Sequence, residues 1–335
     1  MLCYVDDALP GITRKKNGRH WQYFDADGTR ITDRDEIDRL NGIGLPPAYR
    51  DAWFCPAPEG HIQAIGYDDK GRKQYRYHEA FRAQQDAAKY DLCAAFGRKL
   101  PLLRSRVEGD VARHKLARDT VVAAVVRLLD LERVRVGNEQ YAQANKSFGA
   151  TTLRRRHVKM LGKTVKMRFA AKGGVVRELS ITDRNLARLV KRCQDLPGQH
   201  LFQYVDESGD PQPVTSSDVN SYIKEAMGDD FTAKHFRTWG ASAIAFEAMC
   251  AAGEKGISLK EMLEPVAKAL GNTPAISRKS YVHPALIEAV RNHSANPLGG
   301  LQCPRATKYL SGAERGLIEF LESNAASTEA ETRAA

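Results

Sequence analysis

"HIQAIGYDDKGRKQYRYH" (residues 61–78) runs directly into "EAFRAQQDAAKYDLCAAFGRKL" (residues 79–100). The first stretch reads as a strand, a turn at Asp69–Gly71 and a second strand in which Gln74, Tyr75, Arg76 and Tyr77 alternate. The second places apolar residues at spacings of three and four and reads as helix. This change near residue 79 predicts an α+β protein. A small, mainly β N-terminal domain covers residues 1–80, and a larger, mainly α domain covers 81–325.

Working outward supports the division. Upstream, "HWQYFDADGTRI" (20–31) reads as strand, Asp-Gly turn and strand. "GLPPAYRDA" (44–52) reads as a loop around Pro46–Pro47 that leads into a short helical turn. Downstream, "VARHKLARDTVVAAVVRLLDLERV" (111–134) is expected to form one long helix with Val121, Val122, Val125, Val126, Leu128 and Leu129 in the core. "KTVKMRFAAKGGVVRELSIT" (163–182) interrupts with a β-hairpin pattern around Lys172-Gly173-Gly174. "SSDVNSYIKEAM" (216–227) opens with a Ser or Asp cap, and "FRTWGASAIAFEAMCAAG" (236–253) reads as an Ala-rich packed helix. Residues 326–335, small and polar, are expected to be a disordered tail.

The 335 residues suit two domains. Hydrophobic content of 42% and charged content of 27% are those of a soluble globular protein. No apolar run approaches the roughly 18 residues of a membrane span. The start, "MLCYVDDALPG", lacks the basic-then-apolar layout of a secretory signal, so a cytoplasmic protein is expected. Six cysteines are scattered without a CxxC pair, and the nine histidines show no ligand spacing. Reduced thiols, and no metal held by side chains, are the expectation.

Charge is the most specific bulk signal. The net charge is +10, with a pI of about 9.3. Residues 140–177 contain no Asp or Glu, but ten Lys and Arg: Lys146, Arg154, Arg155, Arg156, Lys159, Lys163, Lys166, Arg168, Lys172 and Arg177. The whole-chain excess is 51 − 41 = 10, so this segment alone matches it. Such a field attracts a polyanion, and nucleic acid is the leading partner. An anionic membrane fits less well, because no basic amphipathic helix accompanies the run. In the N-terminal hairpin, Gln74 and Arg76 share one strand face, and Tyr75 and Tyr77 share the other. Either the tyrosines pack in the core, or the strand lies in a DNA groove with Gln74 bonding bases.

"SRKSYVHP" (277–284) sets Tyr281 close to Arg278, Lys279 and His283. Cations beside a phenol stabilise the phenolate and make it a better nucleophile. Four further pieces stand in order before it or around it: "RVRVGNEQY" (133–141), "AAKGGVV" (170–176), "TAKHFRTWGAS" (232–242) and "GNTPAISRKSY" (271–281). They carry Arg135, Lys172 on a tight hairpin, Lys234 and Arg237 one helical turn apart, and Asn272 nine residues before the tyrosine.

Together with "GRKQYRYH" and "SFGATTLRRRHV" (147–158), this ordered set resembles the active-site pattern of type IB DNA topoisomerases in their poxvirus-like and bacterial form. The resemblance covers most of the chain. It implies a two-domain clamp around duplex DNA, and a reaction in which a tyrosine attacks a backbone phosphorus to give a 3′-phosphotyrosine and a free 5′-hydroxyl. By the same resemblance Tyr281 matches the nucleophile, and Arg135 and Arg237 match the arginines that bind the non-bridging oxygens. Lys172 matches the general acid for the departing 5′-oxygen. Asn272 stands where some members have histidine; it can donate a hydrogen bond but cannot titrate near neutral pH. Tyr141 and Gly137 are expected to shape or touch the DNA path, Lys234 to assist the site or bind an adjacent phosphate, and Arg154, Arg155, Arg156 and His157 to meet the backbone.

No GxxxxGK[ST] loop is present. Exchange of a phosphodiester for a phosphotyrosine keeps the bond type, so no ATP and no metal are expected, with magnesium at most stimulatory. A monomer acting on double-stranded DNA, cytoplasmic and nucleoid-associated, follows from this reading. A tyrosine recombinase is the nearest alternative. That family has histidine three residues before the second arginine, where this chain has Lys234, and a helical N-terminal domain. A basic DNA-binding protein without activity is the other alternative; it would not require Asn272 and Tyr281 in this arrangement.

Overall fold

The computed structural model of the protein describes residues 1–69, 71–228, 231–291 and 303–334. The chain forms two compact units, Met1–Ala88 and Lys89–Ala335. The division expected after residue 80 falls after Ala88, inside a long helix.

The first unit is an antiparallel five-stranded sheet with one helix. In chain order it runs β1 (Ile12–Asn17), β2 (His20–Phe24), α1 (Arg34–Gly42), β3 (Arg50–Phe54), β4 (Ile62–Tyr67) and β5 (Lys73–Tyr77), with strand order β2-β1-β3-β4-β5. Ile12, Tyr23, Leu40, Leu45, Phe54 and Ala64 form its core. The two strands read in 61–78 are present and paired, with Ile65 opposite Tyr75 and Gly66 opposite Gln74, while Lys70 in the turn between them lies outside the described residues. The hairpin expected at 20–31 is not. His20–Phe24 pairs backward with β1 through Asn17-Gly18, and Phe24–Arg30 is a single bridge. Asp25 Oδ1 accepts the backbone N–H groups of Asp27 and Thr29, which turns the chain away from a second strand. "GLPPAYRDA" leads into β3 without a helical turn, and α1 was not anticipated.

The second unit begins with α2 (Glu79–Ala112), whose first residues belong to the first unit, and continues through α3 (Arg118–Glu132) and α4 (Glu139–Asn145). A three-stranded antiparallel sheet follows: β6 (Val158–Leu161), β7 (Thr164–Ala170) and β8 (Val176–Thr182). Next come α5 (Arg184–Asp195), the short pair β9 (Gln203–Val205) and β10 (Pro211–Pro213), and α6 (Ser216–Met227). The last helices are α7 (His235–Ala252), α8 (Leu259–Leu270), α9 (Pro274–Ser280), α10 (Pro284–Arg291) and α11 (Gly312–Ala334).

Residues 111–134 are two helices rather than one. The break at 113–117 has a cause: Leu116 O accepts from Val205 N at 2.9 Å, drawing the backbone toward β9. After it, every residue from Thr120 to Val126, with Leu128 and Leu129, is 1% exposed or less. A helix buried all round is apolar all round. Burial of each valine, worth about 1.5–3 kcal/mol, outweighs the few tenths by which β-branching disfavours helix. The cap of α6 is Thr215, in a box with Asp218, one residue before the serines expected to cap it. α11 runs through the segment expected to be disordered, with residue 335 outside the described residues. An Ala- and Glu-rich composition favours helix there. At its start, Arg104 bridges Asp130 and Glu314, and Trp239 Nε1 donates to Glu314 at 3.1 Å. This ties α11 to α2, α3 and α7.

Candidate active site

Tyr281 closes α9. Thr273 caps that helix, Pro274 occupies its first position, and Tyr281 N donates to Ser277 O at 3.1 Å. Val282 is fully buried, His283 N donates to Ser242 Oγ at 3.0 Å, and Pro284 starts α10. Proline suits a first helical turn, where its missing N–H is not needed. The helix break therefore fixes the tyrosine at a rigid corner. Lys89 Nζ donates to Ser280 O at 3.0 Å, a cation at the C-terminal end of α9.

The cations that meet the phenol are not its sequence neighbours. Arg278 and Lys279 are exposed, and burial pushes His283 down to about 4, leaving it neutral. The partners come from distant segments. Arg135 Nη2 donates to Tyr281 Oη at 3.1 Å. The Arg237 guanidinium lies 4.6 Å from the ring centroid. Burial pushes the Tyr281 phenol up, but Arg237 and Arg135, with Lys172 behind them, outweigh it and hold the pKa below the usual tyrosine value.

Each arginine has its own scaffold. Arg135 follows α3, which ends in the left-handed Arg133 (φ 52°). Its backbone is clamped by the "SFGATT" segment: Ala150 N donates to Arg135 O at 2.9 Å, and Thr151 N to Val136 O at 2.7 Å. A Cβ on Gly149 would lie 2.5 Å from Arg135 O, so only glycine permits this approach. Arg237 sits in the first turn of α7 and is 5% exposed. It donates to Arg133 O and, at 3.4 Å, to Leu270 O. In the amide orientation that satisfies both ends, Asn272 Oδ1 accepts from Arg237 Nη2 at 3.1 Å, and Nδ2 donates to Gly271 O at 3.2 Å. Asn272 thus braces Arg237 from behind.

Arg135, Lys172, Arg237 and Tyr281 line one cleft of about 370 Å³, together with Gly137, Tyr141 and Lys234. Lys172 is exposed at the tip of β7–β8, in a turn where Gly173 and Gly174 take φ of 82° and 77°. Lys234 is exposed one turn before the buried Arg237. The remaining candidates lie apart from this cleft. Arg154 is paired with Glu139, and Arg155 Nη1 donates to Leu196 O at 2.7 Å and Gly198 O at 3.1 Å. Each of these guanidiniums already has a partner within the protein. Arg156 is exposed and joins Lys146, Lys159, Lys166 and Arg168 around an open hollow of about 880 Å³ on the three-stranded sheet. His157 has its pKa lowered to about 4 by burial and by Arg156 and Arg154, so it adds no charge.

In the first unit the tyrosines of β5 are not core. Tyr75 and Tyr77 are 39% and 38% exposed and stack with centroids 5.7 Å apart. Gln74 faces the other way, its amide donating to Asp68 at 3.1 Å, and Arg76 donates to Gly44 O at 3.1 Å. The face open to a partner is therefore the aromatic one. Lys89, Arg133 and Arg177 were not singled out from sequence. Their contacts are to backbone carbonyls, most of them far away in the chain, which no local pattern encodes. Among the described residues, no three His, Cys, Asp or Glu side chains cluster as metal ligands, and no helix is long and apolar enough to cross a membrane.

A prediction follows from the field at Tyr281. In the DNA-free protein Tyr281 titrates below the ordinary tyrosine pKa of about 10. Arg135→Ala removes one cation and leaves burial in place, so the titration moves to higher pH. Ring 13Cζ NMR, with the Tyr281 signal identified by its loss in Tyr281→Phe, reads this directly. A Tyr281 that titrates above 10 in the native protein would contradict it.

Residues 78–296 match the family of the eukaryotic DNA topoisomerase I catalytic core, and residues 20–68 match the bacterial DNA topoisomerase IB N-terminal domain. The chain is 32% identical to DNA topoisomerase 1B of Acanthamoeba polyphaga mimivirus over 300 residues, covering 85% of this chain and 89% of that protein. Vaccinia virus (strain Copenhagen) DNA topoisomerase 1B is 20% identical over 231 residues, 68% of this chain and 72% of that one. Among solved structures, the XerH site-specific recombinase in its post-cleavage complex aligns with a TM-score of 0.37 and 16% identity, over 56% of this chain and 49% of that chain, a likeness too weak to bear on either fold or activity. A catalytic-core match over most of the chain, and a relative at this identity along nearly its whole length, place the protein in a family: it belongs to the type IB DNA topoisomerases.

Proposed function

We propose that this enzyme relaxes supercoiled double-stranded DNA through a 3′-phosphotyrosyl intermediate on Tyr281. The Tyr281 oxygen attacks a backbone phosphorus as the bond to the 5′-oxygen breaks. Arg135 and Arg237 hold the non-bridging oxygens, where negative charge grows in the transition state. Lys172, on its exposed turn, gives a proton to the departing 5′-oxygen. Asn272 acts by holding Arg237, a role in which an amide serves without titrating. Supercoil strain turns the free 5′ end, and the 5′-hydroxyl then attacks the phosphotyrosine to restore the strand. Neither ATP nor a metal takes part, because bond type is conserved and two guanidiniums supply the positive charge; magnesium at most stimulates. One chain carries the full set, which supports a monomer. The basic hollow around Arg156 and the open Tyr75–Tyr77 face are proposed DNA contacts, and the enzyme is assigned to the cytoplasm, on the nucleoid of a bacterial cell.

The observation that carries this reading is the 3.1 Å hydrogen bond from Arg135 to Tyr281, with Arg237 over the same ring. A test is relaxation of negatively supercoiled plasmid without ATP and with EDTA. The reading predicts complete relaxation, and an SDS-trapped protein–DNA adduct. Relaxation that stops in EDTA would overturn the metal-free part of the account.

A further inference from the structure

Arg177 lies on β8, five residues past Lys172 on the same hairpin, opposite Phe169. Its side chain leaves the sheet and reaches the C-terminal turn of α8. Nη2 donates to Ala269 O at 2.8 Å and Nη1 to Lys268 O at 3.4 Å. The other two carbonyls of that turn are also taken. Leu270 O accepts from Arg237, and Ala267 O accepts from Asn272 N at 3.0 Å. One helix end therefore receives the hairpin of Lys172, the phosphate-binding Arg237 and Asn272 together. Four orphan carbonyls and the negative end of a helix dipole make such a terminus a fit for guanidinium groups.

Gly271 shows that the contact is built in. It caps α8 with φ +63°, and a Cβ there would lie 2.6 Å from Arg177 Nη1 and 2.9 Å from its Cδ. Arg177 also borders a void of about 20 Å³ behind the site, shared with Arg135, Lys172 and Arg237. The other anchor near the hairpin tip is on β7, where Phe148 N donates to Ala170 O at 2.8 Å. On the β8 side, Arg177 provides the anchor. Its charge is felt by Arg237 and Arg135 as well, so a change that keeps every charge is needed to isolate position.

We propose that Arg177 is a positioning residue: it fastens the Lys172 hairpin to the end of α8, and so sets where Lys172 meets the departing 5′-oxygen. This rests on the reading of Lys172 as general acid. In that step the Tyr281 phenol loses its proton to solvent as its oxygen bonds to phosphorus, the P–O5′ bond breaks, and Lys172 gives a proton to O5′. If the leaving atom is sulfur, the thiolate departs without a proton, and a misplaced acid no longer matters.

The experiment is single-turnover cleavage of two duplexes, one with the natural 5′-oxygen and one with a 5′-bridging sulfur. Lys172→Ala is expected to lose about 10³-fold on oxygen, within the range of general acid catalysis, and to recover most of it on sulfur. Arg177→Met is expected to lose about 10²-fold on oxygen and to recover likewise. Gly271→Ala, which keeps every charge, is expected to show the same sulfur-rescued defect, and Arg177→Lys a milder one. Lys172→Ala/Arg177→Met should be no slower than Lys172→Ala alone, since both act in one step. If Lys172→Ala is not rescued by sulfur, the general-acid reading fails and the proposal with it. If Lys172→Ala is rescued while Arg177→Met and Gly271→Ala stay slow on sulfur, the proposal alone is overturned.

Discussion

Tyr281→Phe protein binds supercoiled plasmid, leaves it supercoiled and forms no SDS-stable adduct. The substitution removes one oxygen. That oxygen accepts the Arg135 hydrogen bond and, in the proposed reaction, forms the bond to phosphorus. A chemical step that has lost its nucleophile falls by as much as the assay can read, beyond about 10⁴-fold. The fold should be nearly unaffected. Loss of one partly buried hydrogen bond costs about 1 kcal/mol, and Val282 and Pro284 still fix the corner. The substitution leaves every charge of the basic segment in place, so DNA affinity should stay within a few-fold. A Tyr281→Phe variant that still relaxes plasmid would sink the assignment of the nucleophile. The comparison is made by gel, with binding and adduct formation measured on the same preparations.

Arg237→Ala slows cleavage and religation together, each by about 10³-fold, the scale found when a transition-state charge donor is removed. The two directions share one transition state, so the fraction of DNA held covalently at equilibrium changes little. This parallel loss separates a catalytic arginine from one that only binds DNA, which would alter affinity and leave both rate constants near native. Arg237→Lys should recover only part of the loss. A single ammonium cannot reach Arg133 O, Leu270 O, Asn272 Oδ1 and a phosphate oxygen as one planar fork does. Some destabilisation accompanies the alanine change, about 1–3 kcal/mol for buried carbonyls left without a donor. A thermal melt therefore belongs beside the kinetics. Unequal loss in the two directions would count against the role.

Much of this site was legible because its parts are local signatures: "RVGNEQY", the Lys172 turn, Lys234 to Arg237, and the Asn272 to Tyr281 spacing. Their convergence was not. From sequence, Lys279 and His283 stand as the cations around Tyr281, yet one is exposed and the other neutral. The charges that bear on the phenol come from residues more than 40 positions away, brought in by the end of α3, the β7–β8 turn and α7. Asn272 stands in the sequence as an amide that can donate a hydrogen bond; its place beside Arg237, with Oδ1 accepting from that guanidinium, is visible only in the fold. Arg154 and Arg155 show the same limit: a run of cations in sequence says nothing about which find a carboxylate or carbonyl inside the protein. At the level of fold, the change of periodicity at residue 79 placed β before α correctly. The misread hairpin at 20–31 and the split of 111–134 both turned on backbone partners outside the local window, Asn17-Gly18 in one case and Val205 in the other.

The most direct test of the central claim is to map the covalent link itself. A nicked-release duplex carrying label on the scissile strand, 5′ of the cleavage site, is trapped with SDS, digested with protease and sequenced by mass spectrometry. The account predicts label on a single peptide containing Tyr281, joined through the 3′-phosphate, with a free 5′-hydroxyl on the other fragment. Label on another residue, or a 5′-phosphate link, would contradict it.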